Sequence, residues 1–409
     1  MKNLSRWKAL GPGLLYAGAA VGVSHVVQST RAGAYYGFAL IGFVLLVNLI
    51  KYPFFEFATR YTAHTGNHLL QAYRKMGSWV LPAFLLLSLL TMFPILAAIS
   101  AVFAGIAQQL LLPGLAATHW AAVGLGLCVL ILLPGQYRWL DKSIKGIILL
   151  LSITTVVAVM LAMGNTETLS RAFAGGFSWN RPGWLFLIAF AGWMPTPIDA
   201  SVWQSLWIHA KQKRNYMSVE HINFDFKLGY LITILLAVFF LMLGALVMFG
   251  SSTALPAGGA AFAAAFVHMY VGVLGDWAYP LIVLSVLTTM FSTLLTVLDA
   301  YPRVLVTGIA QYKPDWSEAY RRKWYWLLVL FLAVGALLIV SFFGGNMLAL
   351  VDFSTRLSFL AAPVLAWWNL RLMQAPELPE AGRPKAWLRY WARFSLLLLS
   401  LFALVYLLA

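Results

Sequence analysis

Long apolar runs, each ended by a short cluster of Gly, Pro or polar residues, fill most of this chain. Trp79 to Leu111 and Leu231 to Phe249 are two of them. Each reaches the roughly 20 residues that a membrane-crossing helix needs. The same criterion predicts about eleven spans, near 11–34, 36–61, 79–109, 118–135, 141–163, 182–208, 228–250, 278–305, 325–344, 347–369 and 388–408. The longest segment outside them, about Gly250 to Asp276, is rich in Gly and Ala and is expected to hold a short surface helix. No sizeable soluble domain is expected.

Two of the spans are interrupted alike, about half the chain apart. The first opens Gly11-Pro12-Gly13 and breaks at Gly22-Val23-Ser24-His25; the second opens Arg181-Pro182-Gly183 and breaks at Met194-Pro195-Thr196-Pro197. Matched Gly/Pro interruptions in two halves point to a secondary transporter's substrate site. Unwound backbone at membrane depth persists only where it lines a cavity or binds something. If spans one and six are equivalent, each repeat holds five spans, and an odd number inverts the second copy. The expected architecture is therefore an all-α integral membrane protein with a five-plus-five inverted repeat and broken helices 1 and 6. The repeats would occupy 1–163 and 164–370, with an added helix in 371–409.

Composition agrees: 62% of the 409 residues are hydrophobic and 10% charged, against about half and about a quarter in soluble domains. The net charge of +15 does not signal nucleic-acid binding, because its Lys and Arg fall mostly in alternate loops. These are Lys2, Arg6 and Lys8; Arg74 and Lys75; Arg138, Lys142 and Lys145; Lys211 to Lys227; Arg303 to Lys323; and Arg371 to Arg389. That alternation is the positive-inside pattern. It predicts a multi-pass protein of the cell (inner) membrane, N-terminus cytoplasmic and C-terminus outside, with lipid as its surroundings. No removable signal peptide is expected. Cys128 alone forms no intrachain disulfide and reads as an apolar filler. Metalloprotease, Walker A and nucleophile-elbow motifs are absent, so no enzyme and no cofactor is expected.

Polar groups inside a span are costly and are functional candidates by default. At the first break these are Ser24, His25 and Gln28, with Gly22 beside them. His25 is either a site for a proton, metal or acid group, or a neutral ring bonded to a carbonyl. Arg31 reads as snorkelling to the outer interface. At the second break Pro195 and Pro197 each leave a carbonyl one turn earlier without its donor. Met194 offers a sulfur, Thr196 a hydroxyl, and Asp199 either a helix cap or a substrate and proton group. Trp193 and Trp203 are candidate pocket walls. Span two holds Lys51, Glu56 and Arg60, with Glu56 and Arg60 at i,i+4 spacing. Hydroxyls along span eight, Ser285 to Thr296, serve helix packing in the bland reading. Asp352 and Arg356 are expected to neutralise each other.

The stretch from Gly11-Pro12-Gly13-Leu14-Leu15 through Gly33-Ala34-Tyr35-Tyr36-Gly37-Phe38-Ala39-Leu40 resembles the start of the NRAMP family of divalent-metal transporters. Tyr137-Arg138-Trp139-Leu140-Asp141-Lys142 is similar to that family's loop before its fifth helix, and Ala191-Gly192-Trp193-Met194-Pro195 to its broken sixth helix. The resemblance implies a LeuT-type fold and alternating access. It also implies contacts from Ala191 and Met194, which stand where the family touches its metal. The family's first break, however, reads Asp-Pro-Gly-Asn, with Asp and Asn on the metal; Gly22 and His25 stand there in this chain. Thr196 replaces a His after Met194-Pro195, and Ile95 and Ala98 stand where the third helix carries an acidic pair. This is a divergent branch without the metal motif.

A dication needs oxygen ligands that carry negative charge. Their loss, with half-helix N-termini that favour anions, tilts the expected cargo to a small organic acid or amino-acid-like solute. The expected contacts are Gly22, Ser24, His25, Gln28, Ala191, Met194, Thr196 and Asp199. The alternatives are a manganese- or iron-type transporter using His25 and Met194 as a softer site, and a non-transporting membrane sensor. A coupling ion, proton or sodium, would act through His25, Glu56 or Asp199. If the break is aligned correctly, Gly22→Asp with His25→Asn gives a protein that manganese stabilises in a thermal-shift assay; an unchanged response shows the alignment to be wrong.

Overall fold

Each predicted apolar run coincides with helix in the computed structural model, which describes residues 11–111, 114–133, 138–214, 217–251, 255–343 and 345–408. The basic residues Lys2, Arg6 and Lys8, the loop residue Tyr137 and the side chains of Arg138, Lys142, Lys145 and Arg214 lie outside the described residues. The helices run α1 (Pro12–Ala20), α2 (Thr30–Tyr36), α3 (Ile41–Thr65), α4 (Leu69–Lys75), α5 (Val80–Leu110), α6 (Ala117–Leu132), α7 (Arg138–Ala162) and α8 (Thr166–Phe173). They continue with α9 (Arg181–Trp193), α10 (Ala200–Arg214), α11 (Val219–Val247), α12 (Gly259–Leu274), α13 (Tyr279–Ile309), α14 (Glu318–Phe342), α15 (Met347–Leu372) and α16 (Ala386–Leu408). A π-helical turn, Ser24–Ser29, leads into α2. Among the described residues, 7 helical stretches are long and apolar enough to cross a membrane. The other predicted spans fall on shorter or interrupted helices: α6, α7 with its 99° bend into α8, and the broken first and sixth. The Gly/Ala-rich segment holds α12, with one face buried against α5.

The helices pack as two groups. In one, α1, α2, α3 and α10 surround or adjoin α11 and one another; in the other, α5, α6, α13 and α14 pack together. Helix α15 touches α3, α5 and α9 and so spans both groups. Small residues set the closest approaches, as expected where no hydrophobic force distinguishes helix from lipid. Gly13 is one: a Cβ there would sit 2.0 Å from the Asp225 carbonyl oxygen of α11.

The loops rich in Lys and Arg meet at one end of the bundle. Arg74 lies over the Tyr312 ring at 4.3 Å, and Lys75 pairs with Glu377 at 3.4 Å. At the same end His68 caps α4 in a reciprocal capping box with Gln71. Burial, with His209 and Lys213 nearby, holds the His68 imidazole down to about 3, so its Nδ1 stays an acceptor for the Gln71 amide.

Half-helix α1 is anchored from outside itself. Pro12 stands at its first position, where a missing N–H costs nothing. The amides of Gly11 and Gly13 donate to Asp225 Oδ1 and Oδ2 at 3.0 and 2.7 Å. A carboxylate thus neutralises the positive end of the helix dipole and ties α1 to α11. Asp225→Ala should cost about 2 kcal/mol and lower the thermal midpoint in detergent; an unchanged midpoint would show the anchor to be idle.

Candidate substrate site between two helix breaks

The first break is narrower than the sequence suggests. Helix α1 ends at Ala20, Val21 and Gly22 are unwound, and winding resumes at Val23 to enter the π turn. Ser24, His25 and Gln28 therefore sit on wound backbone just past the break. Ser24 Oγ lies 2.7 Å from the Ala20 carbonyl, 3.3 Å from the Pro195 carbonyl and 2.8 Å from His25 Nδ1. A hydroxyl has one proton, so it donates to one of these at a time while touching both breaks. His25 Nε2 donates to the Thr233 carbonyl of α11 at 2.9 Å. The imidazole is buried with both nitrogens engaged, and it faces α11.

The second break runs from Met194 to Asp199 between α9 and α10. Gly192 lets α9 meet α15: a Cβ there would lie 1.9 Å from the Thr355 carbonyl oxygen. The Trp193 indole donates to Ser358 Oγ on α15 at 2.9 Å, which fixes its ring at the break. The Ala200 amide bonds back to Pro197 O, and that of Ser201 to Ile198 O. The freed carbonyls of Gly192 and Thr196 accept instead from Lys51 Nζ of α3, at 2.9 and 3.2 Å. Asp199 Oδ2 accepts from the Tyr301 hydroxyl of α13 at 2.8 Å, and Oδ1 has no hydrogen-bond partner among the described residues. The Val202 amide bonds to the Asp199 main-chain carbonyl.

A cavity of about 30 Å³ lies between the breaks, walled by Ser24, Trp193, Thr196 and Trp203 on one side and by Ile95, Ile99 and Thr293 on the other. It opens at the seam between the two helix groups. Its volume admits a water molecule or two and is far below the several hundred Å³ of an occupied small-molecule site. A smaller cavity of about 10 Å³ follows, with Asp199, Ser88, Thr91 and Ser358 in its wall. A much larger groove, about 810 Å³, lies between α3, α11 and α16. Its walls are exposed apolar and aromatic residues such as Leu49, Trp387 and Phe394, as befits a face turned to lipid.

Several expectations need correction. Arg31 does not snorkel: it is 6% exposed and pairs with Asp352 of α15 at 2.7 Å. Asp352 is therefore not neutralised by Arg356, whose Nε has no partner among the described residues; a buried guanidinium on a neighbouring helix competes better than one on the same helix. Gln28 is not at the cavity but joins this pair, accepting from Arg31 at 2.9 Å and donating to Asp352 at 3.2 Å. His25, Met194 and Ala191 are buried without lining the cavity. Gly22 packs against Thr293, whose Oγ1 a Cβ would meet at 2.7 Å. Glu56 is held by Arg60 as the spacing predicts, with Nε donating to its two oxygens at 2.9 and 3.1 Å. Ser24, Thr196, Trp193 and Trp203 do meet at one cavity. Sequence reasoning passed over Tyr301, and it named Lys51 and Thr293 only as polar groups within spans two and eight, with no place at the site. Only Lys51 carried a signal, a cation in mid-span. Among the described residues no group of three or more His, Cys, Asp or Glu could hold a metal ion.

The family model for natural resistance-associated macrophage protein-like (Nramp) proteins matches residues 13–409. An uncharacterized protein of Pasteurella multocida is 35% identical over 98% of this chain and 90% of its own. A manganese transporter of Eremococcus coleocola, solved as a single-site variant, superposes with a TM-score of 0.71 at 16% identity, over 99% of this chain and 88% of that one. MhsT in complex with L-phenylalanine superposes with a TM-score of 0.60 at 16% identity, over 96% and 98% of the two chains. Two broken helices facing one cavity, a family match along nearly the whole chain and these shared folds agree: the chain belongs to the Nramp family and is a multi-pass membrane transporter of the LeuT-type fold.

Proposed function

We propose that this transporter carries a small organic acid or amino-acid-like solute by alternating access at the cavity between the breaks. The observation that carries the reading is the chemistry of that cavity. Hydroxyls of Ser24, Thr196 and Thr293 and two indoles wall it, and no carboxylate does. A dication stripped of water would find neutral ligands beside the Lys51 ammonium, which repels it. A carboxylate would find hydroxyl donors and a nearby positive charge. MhsT, a fold relative, was solved with L-phenylalanine and the Eremococcus protein is a manganese transporter; a shared fold does not choose between such cargoes.

The cycle in this reading moves one helix group against the other at the seam. The Arg31–Asp352 contact closes the side opposite the basic loops, and that side is external if the loop charges place the N-terminus in the cytoplasm of the cell (inner) membrane. The repeats are assigned to 1–163 and 164–370, with the added helix in 371–409. Of the coupling candidates, Asp199 is preferred, since it keeps an unpartnered oxygen beside a cavity while Glu56 and His25 are fully engaged.

A thermal-shift screen of the purified protein is expected to give saturable stabilisation by small carboxylates that EDTA does not alter. Ser24→Ala and Thr196→Ala should each weaken it about tenfold, the loss of one charge-assisted hydrogen bond. Strong stabilisation by manganese with no response to acids would refute the substrate class. In proteoliposomes Asp199→Asn should leave uptake indifferent to an imposed pH gradient; gradient-driven uptake as in the parent would remove Asp199 from the coupling role.

A further inference from the structure

Lys51 is the most deeply placed cation of the described residues, with no exposure to the surroundings. It lies in mid-span on α3, where an ammonium is expensive unless something compensates it. The compensation comes from the second break. The carbonyls of Gly192 and Thr196 converge on Nζ at 2.9 and 3.2 Å, and Asp199 lies within coulombic reach. Helix geometry explains why those carbonyls are available. Helix α9 ends at Trp193, so no amide continues the ladder to Gly192 O. The Ala200 amide bonds Pro197 O rather than Thr196 O. Pro195 and Pro197 contribute no N–H at all.

Unwound carbonyls that converge on one point beside a carboxylate form a site for a monovalent cation. We propose that Lys51 is the chain's own occupant of such a site, and that removing its side chain leaves a position that takes a small free ammonium ion. Methylammonium reproduces the N–H donors and most closely replaces the end of the lysine side chain. Choline, which has no N–H, does not. The bound charge holds Gly192, Thr196 and Asp199 in place, so the break keeps its shape with no free cation.

The inference concerns the same break as the proposed transport cycle, but its readout needs no transported solute. If acids fail to bind while methylammonium binds the truncated variant, the substrate reading falls and this one stands. Thermal midpoints of the full-length protein, Lys51→Ala and Lys51→Met would be measured in equal concentrations of methylammonium chloride and choline chloride. Lys51→Ala should melt on the order of 5 °C below the parent in choline and recover in methylammonium with a saturable dose response. Lys51→Met fills the space without the charge, so its midpoint should be lowered equally in both salts. The parent should not distinguish the salts. A Lys51→Ala protein indifferent to methylammonium, or a parent that responds equally, overturns the proposal. If Lys51→Ala yields no folded protein in either salt, Lys51→Met decides: a midpoint equal to the parent's overturns the proposal, and a lowered one that ignores the salt upholds it.

Discussion

Backbone that leaves a helix inside a membrane must find new hydrogen-bond partners, because hydrocarbon supplies none. At both breaks side chains supply such partners. Ser24 reaches the Ala20 carbonyl across the first break and the Pro195 carbonyl of the second. Lys51 takes the two carbonyls that the second break releases. Asp225 holds the free amides at the start of α1. The unwound segments lie against one another and frame a cavity, with Ser24 and Lys51 reaching their freed carbonyls. Much of the interior follows from this demand: the closeness of α1 to α11, the buried lysine, and the serine shared by the breaks.

The family comparison gains meaning in that light. In the metal-transporting form of the first break, negative and neutral oxygens face the cargo. Here Gly22 brings no ligand, and His25 is turned to the Thr233 carbonyl. At the second break the Lys51 ammonium holds the Gly192 and Thr196 carbonyls, with the Asp199 carboxylate nearby. A shared scaffold does not by itself choose a cargo; the groups at the site do. The Arg31–Asp352 pair ties α2 to α15, the helix that touches both groups.

Local chemistry was the legible part of the sequence. Gly and Pro punctuate a helix within a few residues of themselves, so the paired breaks could be read directly, and long apolar runs announced the helices. Ser24 and Thr196 could be placed at the cavity because they adjoin those breaks. The Glu56–Arg60 pair followed from helical spacing alone. What could not be read was tertiary choice. Arg31 had a tyrosine-rich neighbourhood and an apparent route to the interface, yet its partner is Asp352, more than 300 positions away in sequence. Asp352 in turn had an i,i+4 candidate and did not take it. Asp199 could be marked as buried and polar, but Tyr301 on α13 carries no mark of its own. Lys51 was visible as a cation in an apolar run; that it faces the second break depends on how α3 packs against α9 and α10, which periodicity does not supply. The first break begins one residue earlier and ends three residues earlier than the sequence suggests, because the polar residues Ser24 and His25 sit on a wound π turn and not on the unwound segment.

The proposed cargo requires that the space between the breaks take no metal ion, and anomalous scattering decides whether it does. Crystals grown with manganese at millimolar concentration would be measured at a wavelength where manganese scatters anomalously. The account predicts no anomalous peak within coordinating distance of Ser24, Met194 or Thr196; a well-occupied peak between the two breaks would contradict it.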